Sequence, residues 1–247
     1  MRALGLIPTR LNSTRLPQKA LLPINDIPLI IHTYKRAKLS KKLNEVYICC
    51  DDLKIKKVAE KYGAKVIITS KNHSNGTERI NEAYNKLKIK YDFIVDIQGD
   101  EPLISPYHID QIVNFHSKNK NADIILPTLQ IKPTNNTNIV KVLLNKKNEV
   151  MYLSRANLPF SFKKDIKKSL KHLSIISFLP KSLEKFCLTK KTYFESIEDI
   201  ELLRALEIGL KIKSLKLKGD SFSVDVYDDY RKANLKMSRD KFFKIYK

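Results

Sequence analysis

Apolar residues in the first half of the chain come in short unbroken runs, and between the runs they recur every three or four positions. The runs at 3–7, 45–50, 65–68, 93–97 and 123–127 read as buried strands, and the periodic stretches at 28–39, 53–62, 77–87 and 107–117 as amphipathic helices. Strand and helix alternate with short connections, which predicts βαβ crossovers and an α/β fold with a mostly parallel sheet covered on both faces. Past about residue 128 the alternation stops. The stretch "IVKVLLNKKNEVMYLS" predicts two strands around a turn at Asn145 to Asn148, followed by a Lys-rich loop and another apolar strand at 173–179. Helices resume at 181–189 and 196–210, then a strand at 211–217 and a last helix from about Tyr227. The chain reads as one domain over 1–247 with a β-rich insertion at about 128–192, and it shows no internal repeat or low-complexity linker.

Composition narrows the class. The formal charge of +21 invites a nucleic-acid-binding reading, yet only nine of the 47 basic residues are Arg, and the Lys residues are spread along the chain among many Asn and Ile. That spread is a solvated surface rather than a designed stripe, so no nucleic acid is expected as a partner. Cys49, Cys50 and Cys187 lack the paired spacing of a zinc site or a disulfide framework. No apolar run approaches the roughly 20 residues of a membrane span, and the N-terminus lacks the regions of a signal peptide. A cytoplasmic protein with no membrane partner is expected.

Candidate chemistry gathers where the predicted strands end. After the first strand comes "IPTRLNSTRLPQK", in which Pro8 and Pro17 exclude a regular helix or strand and leave Arg10, Arg15 and Lys19 on a loop. A loop rich in guanidinium, hydroxyl and backbone N–H donors at a strand's carboxyl end suits a polyphosphate. The signatures GxxxxGK[ST] and GxGxxG are absent, and the chain has only six glycines, so any nucleotide must be held mainly by side chains. "HSNGTER" follows the third strand, with Thr77 placed to cap the next helix and His73 as a polar loop residue. "DIQGDEPLI" follows the fourth, offering the Gln98 amide for a base and the Asp100 carboxylate. "SVDVYDD" follows the last strand, and Asp225 beside Asp100 would give the two hard oxygen ligands that Mg²⁺ prefers when it also holds phosphates and water. Together these imply chemistry on a nucleoside triphosphate.

"IPTRLNSTRLPQK", "NGTER", "QGDEP", "YLSRANLPF", "KHLSI" and "IELLRALEIGLKI", in this order over nearly the whole chain, resemble the CMP-Kdo synthetase family, the 3-deoxy-manno-octulosonate cytidylyltransferases. The resemblance implies a nucleotide-diphospho-sugar transferase fold, Rossmann-like, that uses CTP and Mg²⁺ to make CMP-Kdo and diphosphate for lipopolysaccharide biosynthesis. It also implies a homodimer formed through the inserted segment. By motif, Arg10, Arg15 and Lys19 would hold the triphosphate and with Asp100 form the catalytic set, while Pro8, Arg79 and Gln98 would bind the cytidine. Asp100 and Asp225 would ligate magnesium, and Arg155, His172 and Glu201 would line the pocket for the acidic sugar. Related enzymes that activate 8-amino-Kdo or sialic acid share the scaffold, so a related sugar acid is the alternative substrate.

The sequence departs from the family pattern at definite points. Gln18 stands where a glycine is usual; Ser174, Ile176 and Ser177 stand where Gly, Tyr and Gly are usual; Leu202 replaces a Gln, and "VDVYDD" replaces "VDTPED". The nucleotide half of the motif set matches well, with Asp225 kept, whereas the sugar half has lost two polar contacts.

Overall fold

The structure is a computed structural model that describes residues 1–13, 15–220 and 222–247. Thr14, within the cationic loop motif, lies outside the described residues. The chain divides into two compact units, Met1–Gln111 with Ser221–Lys247, and Ile112–Asp220. The strands Ile124–Ile131 and Ile212–Leu217, which flank most of the 128–192 segment, pair within the second unit.

In the first unit the elements are β1 (Ala3–Thr9), a 3₁₀ turn (Lys19–Leu21), β2 (Pro23–Ile24), β3 (Ile27–Pro28), α1 (Leu29–Lys38), β4 (Glu45–Cys50), α2 (Leu53–Lys61), β5 (Val66–Ile68), α3 (Gly76–Leu87) and β6 (Phe93–Ile97). Helix α4 (Pro106–Lys118) leads into the second unit, which holds β7 (Ile124–Ile131), β8 (Lys141–Leu144), β9 (Val150–Ser154), β10 (Ser169–His172), β11 (Ile175–Phe178), α5 (Pro180–Leu188), α6 (Tyr193–Glu198), α7 (Leu202–Glu207) and β12 (Ile212–Leu217). Helices α8 (Tyr227–Ser238) and α9 (Phe243–Tyr246) belong to the first unit.

The first unit's sheet runs β5-β4-β1-β6, and all its pairings are parallel. Apolar runs without alternation are what a strand buried on both faces requires, and β1 is buried from Ala3 to Pro8. The sequence reading ends this strand at Ile7 on account of Pro8, but the strand continues to Thr9, with Pro8 opposite Cys49 on β4. Pairing with β6 stops at Leu6, so the missing N–H of Pro8 leaves no β6 partner wanting.

In the second unit β12 runs parallel to β7, and β10 and β11 are antiparallel to it. The predicted hairpin is present as β8 and β9, with Asn148 in the left-handed region at φ 58° and the Asn145 side chain accepting from Lys147 N and Glu149 N. Strand β10 escapes the sequence reading because its residues sit in a Lys-rich stretch, and only pairing with β7 and β8 makes it a strand. The helix expected over 196–210 is two helices. Asp199 ends α6 at φ 50°, and Arg204 of α7 reaches back to Glu195 of α6 with Nε–Oε2 2.7 Å and Nη2–Oε1 2.6 Å, both side chains buried.

Ser177, one of the departures, serves the core. Its hydroxyl lies 2.7 Å from His116 Nδ1, and His116 Nε2 donates to the Ala122 carbonyl at 3.1 Å. Burial pulls the His116 pKa down to about 4, so the neutral ring keeps one donor and one acceptor matched to these partners.

Candidate functional site

Strands β1, β4 and β6 are parallel, so the segments after Thr9, Cys50 and Ile97 leave the sheet at one edge. The segments after Thr9 and Ile97 line a cleft of about 280 Å³ together with the turn before α3 and Asp225. Every residue lining it belongs to the first unit.

One part of the cleft is a charge cluster. Leu16 is buried in the same apolar cluster as Leu29 and Val224, which anchors the cationic loop beside the segment carrying Asp225. Lys19 Nζ donates to Asp100 Oδ2 at 2.8 Å and lies 3.4 Å from Asp225 Oδ1, which also accepts from Arg15 Nη2 at 3.0 Å. The two carboxylate segments are tied by Val224 N donating to the Asp100 carbonyl at 2.9 Å. Asp229 in the first turn of α8 accepts from the backbone of Asp225 and Val226, which fixes the approach of Asp225. Arg10 is exposed on the cleft wall and has no ion-pair partner among the described residues. Arg10, Arg15 and Lys19 thus outnumber the two carboxylates, an excess of positive charge suited to a polyphosphate.

Gly99 explains why the loop after β6 can come so near β1. A Cβ on Gly99 would stand 2.7 Å from the Pro8 carbonyl oxygen, a clash with backbone. Gln18 shows the opposite. It holds φ 51°, ψ 33° without being a glycine, and its side-chain oxygen accepts from Lys54 Nζ at 2.6 Å. Gln18 therefore holds a left-handed backbone conformation at a cost of about 1–2 kcal/mol for a residue with a Cβ. Gln18→Gly is expected to raise the melting temperature by about 2–4 °C with activity retained. A lower melting temperature in a thermal scan would show that the Lys54 contact outweighs the backbone strain.

His73, Ser74, Asn75, Gly76, Arg79 and Gln98 also line the cleft. Asn75, not Thr77 as expected from the sequence, caps α3 by accepting from Glu78 N at 2.8 Å; Thr77 is already inside the helix and buried. Arg79 is buried, donating to Thr69 Oγ1 at 2.7 Å and the Ser70 carbonyl at 3.0 Å, and pairing with Asp51 at 3.5 Å. Asp51 also accepts from Leu11 N at 3.0 Å. The sequence reading missed Asp51; its position at a strand end, level with the other motifs, was the available signal. Gln98 Nε2 donates to Asp96 Oδ2 at 3.0 Å.

Arg155, His172 and Glu201, which the motif resemblance would assign to the sugar, lie in the second unit. Arg155 follows β9, and its guanidinium is held by the carbonyls of Glu198, Asp199 and Thr137 at 2.7–3.0 Å, leaving two of its five N–H donors. His172 ends β10, and burial lowers its pKa, so the ring is neutral at pH 7. Its Nδ1–H donates to the Leu173 carbonyl at 3.3 Å, which leaves Nε2 as an acceptor. His172 therefore carries no positive charge at pH 7. Glu201 occupies the N-cap position of α7, and Ile176 and Leu202 are both buried.

Among the described residues no group of three or more His, Cys, Asp or Glu side chains gathers as a metal site, and no helix is long and apolar enough to cross a membrane.

Residues 4–212 match the Cytidylyltransferase family. An 8-amino-3,8-dideoxy-manno-octulosonate cytidylyltransferase from Shewanella baltica (strain OS185) is 36% identical over 95% of this chain and 98% of its own length. A 3-deoxy-manno-octulosonate cytidylyltransferase from Nitratiruptor sp. is 37% identical over 93% and 97%. The solved structure of CMP:2-keto-3-deoxy-manno-octonic acid synthetase complexed with CTP superimposes with a TM-score of 0.91 at 27% identity, covering 97% of this chain and 99% of that one. The α/β nucleotide-diphospho-sugar transferase fold expected from the motifs is the fold observed, and the chain belongs to the cytidylyltransferase family of nucleotidyltransferases.

Proposed function

We propose that this protein transfers CMP from CTP to 3-deoxy-D-manno-octulosonate, releasing diphosphate and supplying CMP-Kdo to lipopolysaccharide biosynthesis. The observation that carries the reading is the cluster in which Asp100 and Asp225 converge on Lys19 within a cationic cleft at the sheet's carboxyl edge. Relatives named for this activity align over nearly the full chain.

Asp100 and Asp225 would hold Mg²⁺. The fit is tested by Lys19: its ammonium is one cation shared by both carboxylates, so their charges already converge on one point. Two protein carboxylates suffice for an ion that takes its other ligands from phosphate and water. When bound, Mg²⁺ supplies Lewis-acid polarisation of a phosphoryl oxygen and a lower pKa for a coordinated hydroxyl. Arg10, Arg15 and Lys19 neutralise the triphosphate, and Arg15 and Lys19 stabilise the diphosphate as it leaves. The anomeric hydroxyl attacks the α-phosphorus, so the chain's main contribution is to hold the two reactants in line. Arg155 offers its remaining donors to the sugar carboxylate. The enzyme works as a homodimer in the cytoplasm; light scattering on the purified protein checks the first point.

A second reading, the same transfer to the 8-amino sugar acid, is favoured by relatives with that name and by the buried apolar Ile176 and Leu202 in place of polar sugar-side residues. Diphosphate release with CTP, Mg²⁺ and each purified sugar acid decides between them. Higher kcat/KM with Kdo supports the first reading, the reverse order supports the second, and no release with either acid overturns both.

A further inference from the structure

His73 lines the cleft, yet the transfer just described gives it no task. Its surroundings fix which ring nitrogen does what. Nε2 is in hydrogen-bond contact with Glu82 Oε2, an oxygen that also accepts from Ser70 N at 2.9 Å, while Glu82 Oε1 accepts from Lys86 Nζ at 2.6 Å. Burial opposes ionisation of Glu82, but the bonds from Lys86, Ser70 and His73 outweigh it and hold the carboxyl down to about 2. An ionised carboxylate only accepts, so the proton of the neutral imidazole sits on Nε2. Nδ1 is then a bare lone pair, and it has no protein partner among the described residues.

Gln98 repeats the device. Asp96 accepts from Gln98 Nε2, which orients the amide and leaves Oε1 as its free end. Both polar groups line the cleft, as do Ser74, Asn75 and the buried Arg79, whereas Arg15 and Lys19 are engaged in the charge cluster with Asp100 and Asp225. A base reaching His73 and Gln98 meets acceptors whose polarity is set by the carboxylates of Glu82 and Asp96.

We propose that His73, held as the Nε2–H tautomer by Glu82, is a specificity-determining residue that selects a pyrimidine bearing an amine donor over one bearing a carbonyl at the same ring position. Cytosine presents an exocyclic amine there and uracil an oxygen. Nδ1 accepts from the first and repels the second, because two lone pairs would face each other with no proton between them. The proposal rests on the reading of the cleft as a CTP site and names the group that rejects UTP.

The test uses Glu82→Gln and His73→Gln in the full-length protein, with CTP and UTP compared at about pH 8.5, above the range in which imidazoles titrate. In Glu82→Gln the new amide can donate to His73 Nε2, moving the ring proton to Nδ1. The kcat/KM ratio of CTP to UTP is expected to fall at least about tenfold, with CTP losing and UTP gaining. His73→Gln, which can present an oxygen in place of Nδ1, is expected to keep more of the ratio. ¹⁵N NMR of the imidazole should show Nε2–H in the wild type and Nδ1–H in Glu82→Gln. Equal loss on both nucleotides, or an Nδ1–H ring in the wild type, overturns the proposal. If the wild type turns over no sugar acid, the CTP and UTP melting shifts of wild type and variants still test this selection, so its failure is separable from failure of the sugar assignment.

Discussion

Asp100→Asn should lose turnover by about 10²-fold or more while leaving the protein folded. The fold is spared because the contact joining this loop to the Asp225 segment is between backbones, Val224 N to the Asp100 carbonyl, and the substitution does not touch it. Asparagine matches aspartate in shape, so Gly99 and its close approach to Pro8 are also undisturbed. What changes is charge. The 2.8 Å partner of Lys19 becomes neutral and only Asp225 at 3.4 Å still offers it a charge, which makes the cleft more positive toward a bare triphosphate. Metal-free CTP should therefore bind as tightly as before or tighter, and the loss should appear in kcat and in the Mg²⁺ concentration needed for half-maximal rate. Diphosphate release across a Mg²⁺ titration, with CTP melting shifts in EDTA, measures both. Turnover within a few-fold of wild type would end the assignment of Asp100 to the metal.

The second large effect concerns stability. Arg204→Met removes one partner of a buried ion pair and strands the Glu195 carboxylate, at a cost of about 3–5 kcal/mol. Arg204 also donates to the Thr189 carbonyl at 3.0 Å and stacks over Phe186 at 4.5 Å, so these contacts go with it. A fall in melting temperature of about 10 °C is expected. Replacing both partners by apolar residues, Glu195→Leu with Arg204→Met, should recover part of the loss, because no charge is then left buried without a counter-ion. CTP should still raise the melting temperature of the single variant, since the cleft is lined entirely by the first unit. An unchanged melting temperature for Arg204→Met would show the pair to be energetically neutral.

In the first unit the parallel strands and the helices between them were legible in the sequence to within a few residues, because β1, β4 and β6 are largely buried and their helices carry an apolar stripe, whereas the short β2, β3 and α9 were not. The sequence also determined that Arg10, Arg15, Lys19, Gln98 and Asp100 share one edge, since parallel strands leave no other place for the loops after them. The hairpin of β8 and β9 was legible for a local reason, the Asn turn chemistry. Tertiary structure decided whatever depended on a partner distant in sequence. Strand β10 exists only by pairing, α6 and α7 are separate because Arg204 reaches back to Glu195, and Asp51 joins the site through Arg79 and Leu11. It likewise decided polarity. No spacing could show that Glu82 sets the proton of His73, that the Leu173 carbonyl takes the proton of His172, or that Gln18 keeps a glycine's conformation. Periodicity encodes which face of an element is buried, whereas the direction of a hydrogen bond depends on what lies opposite.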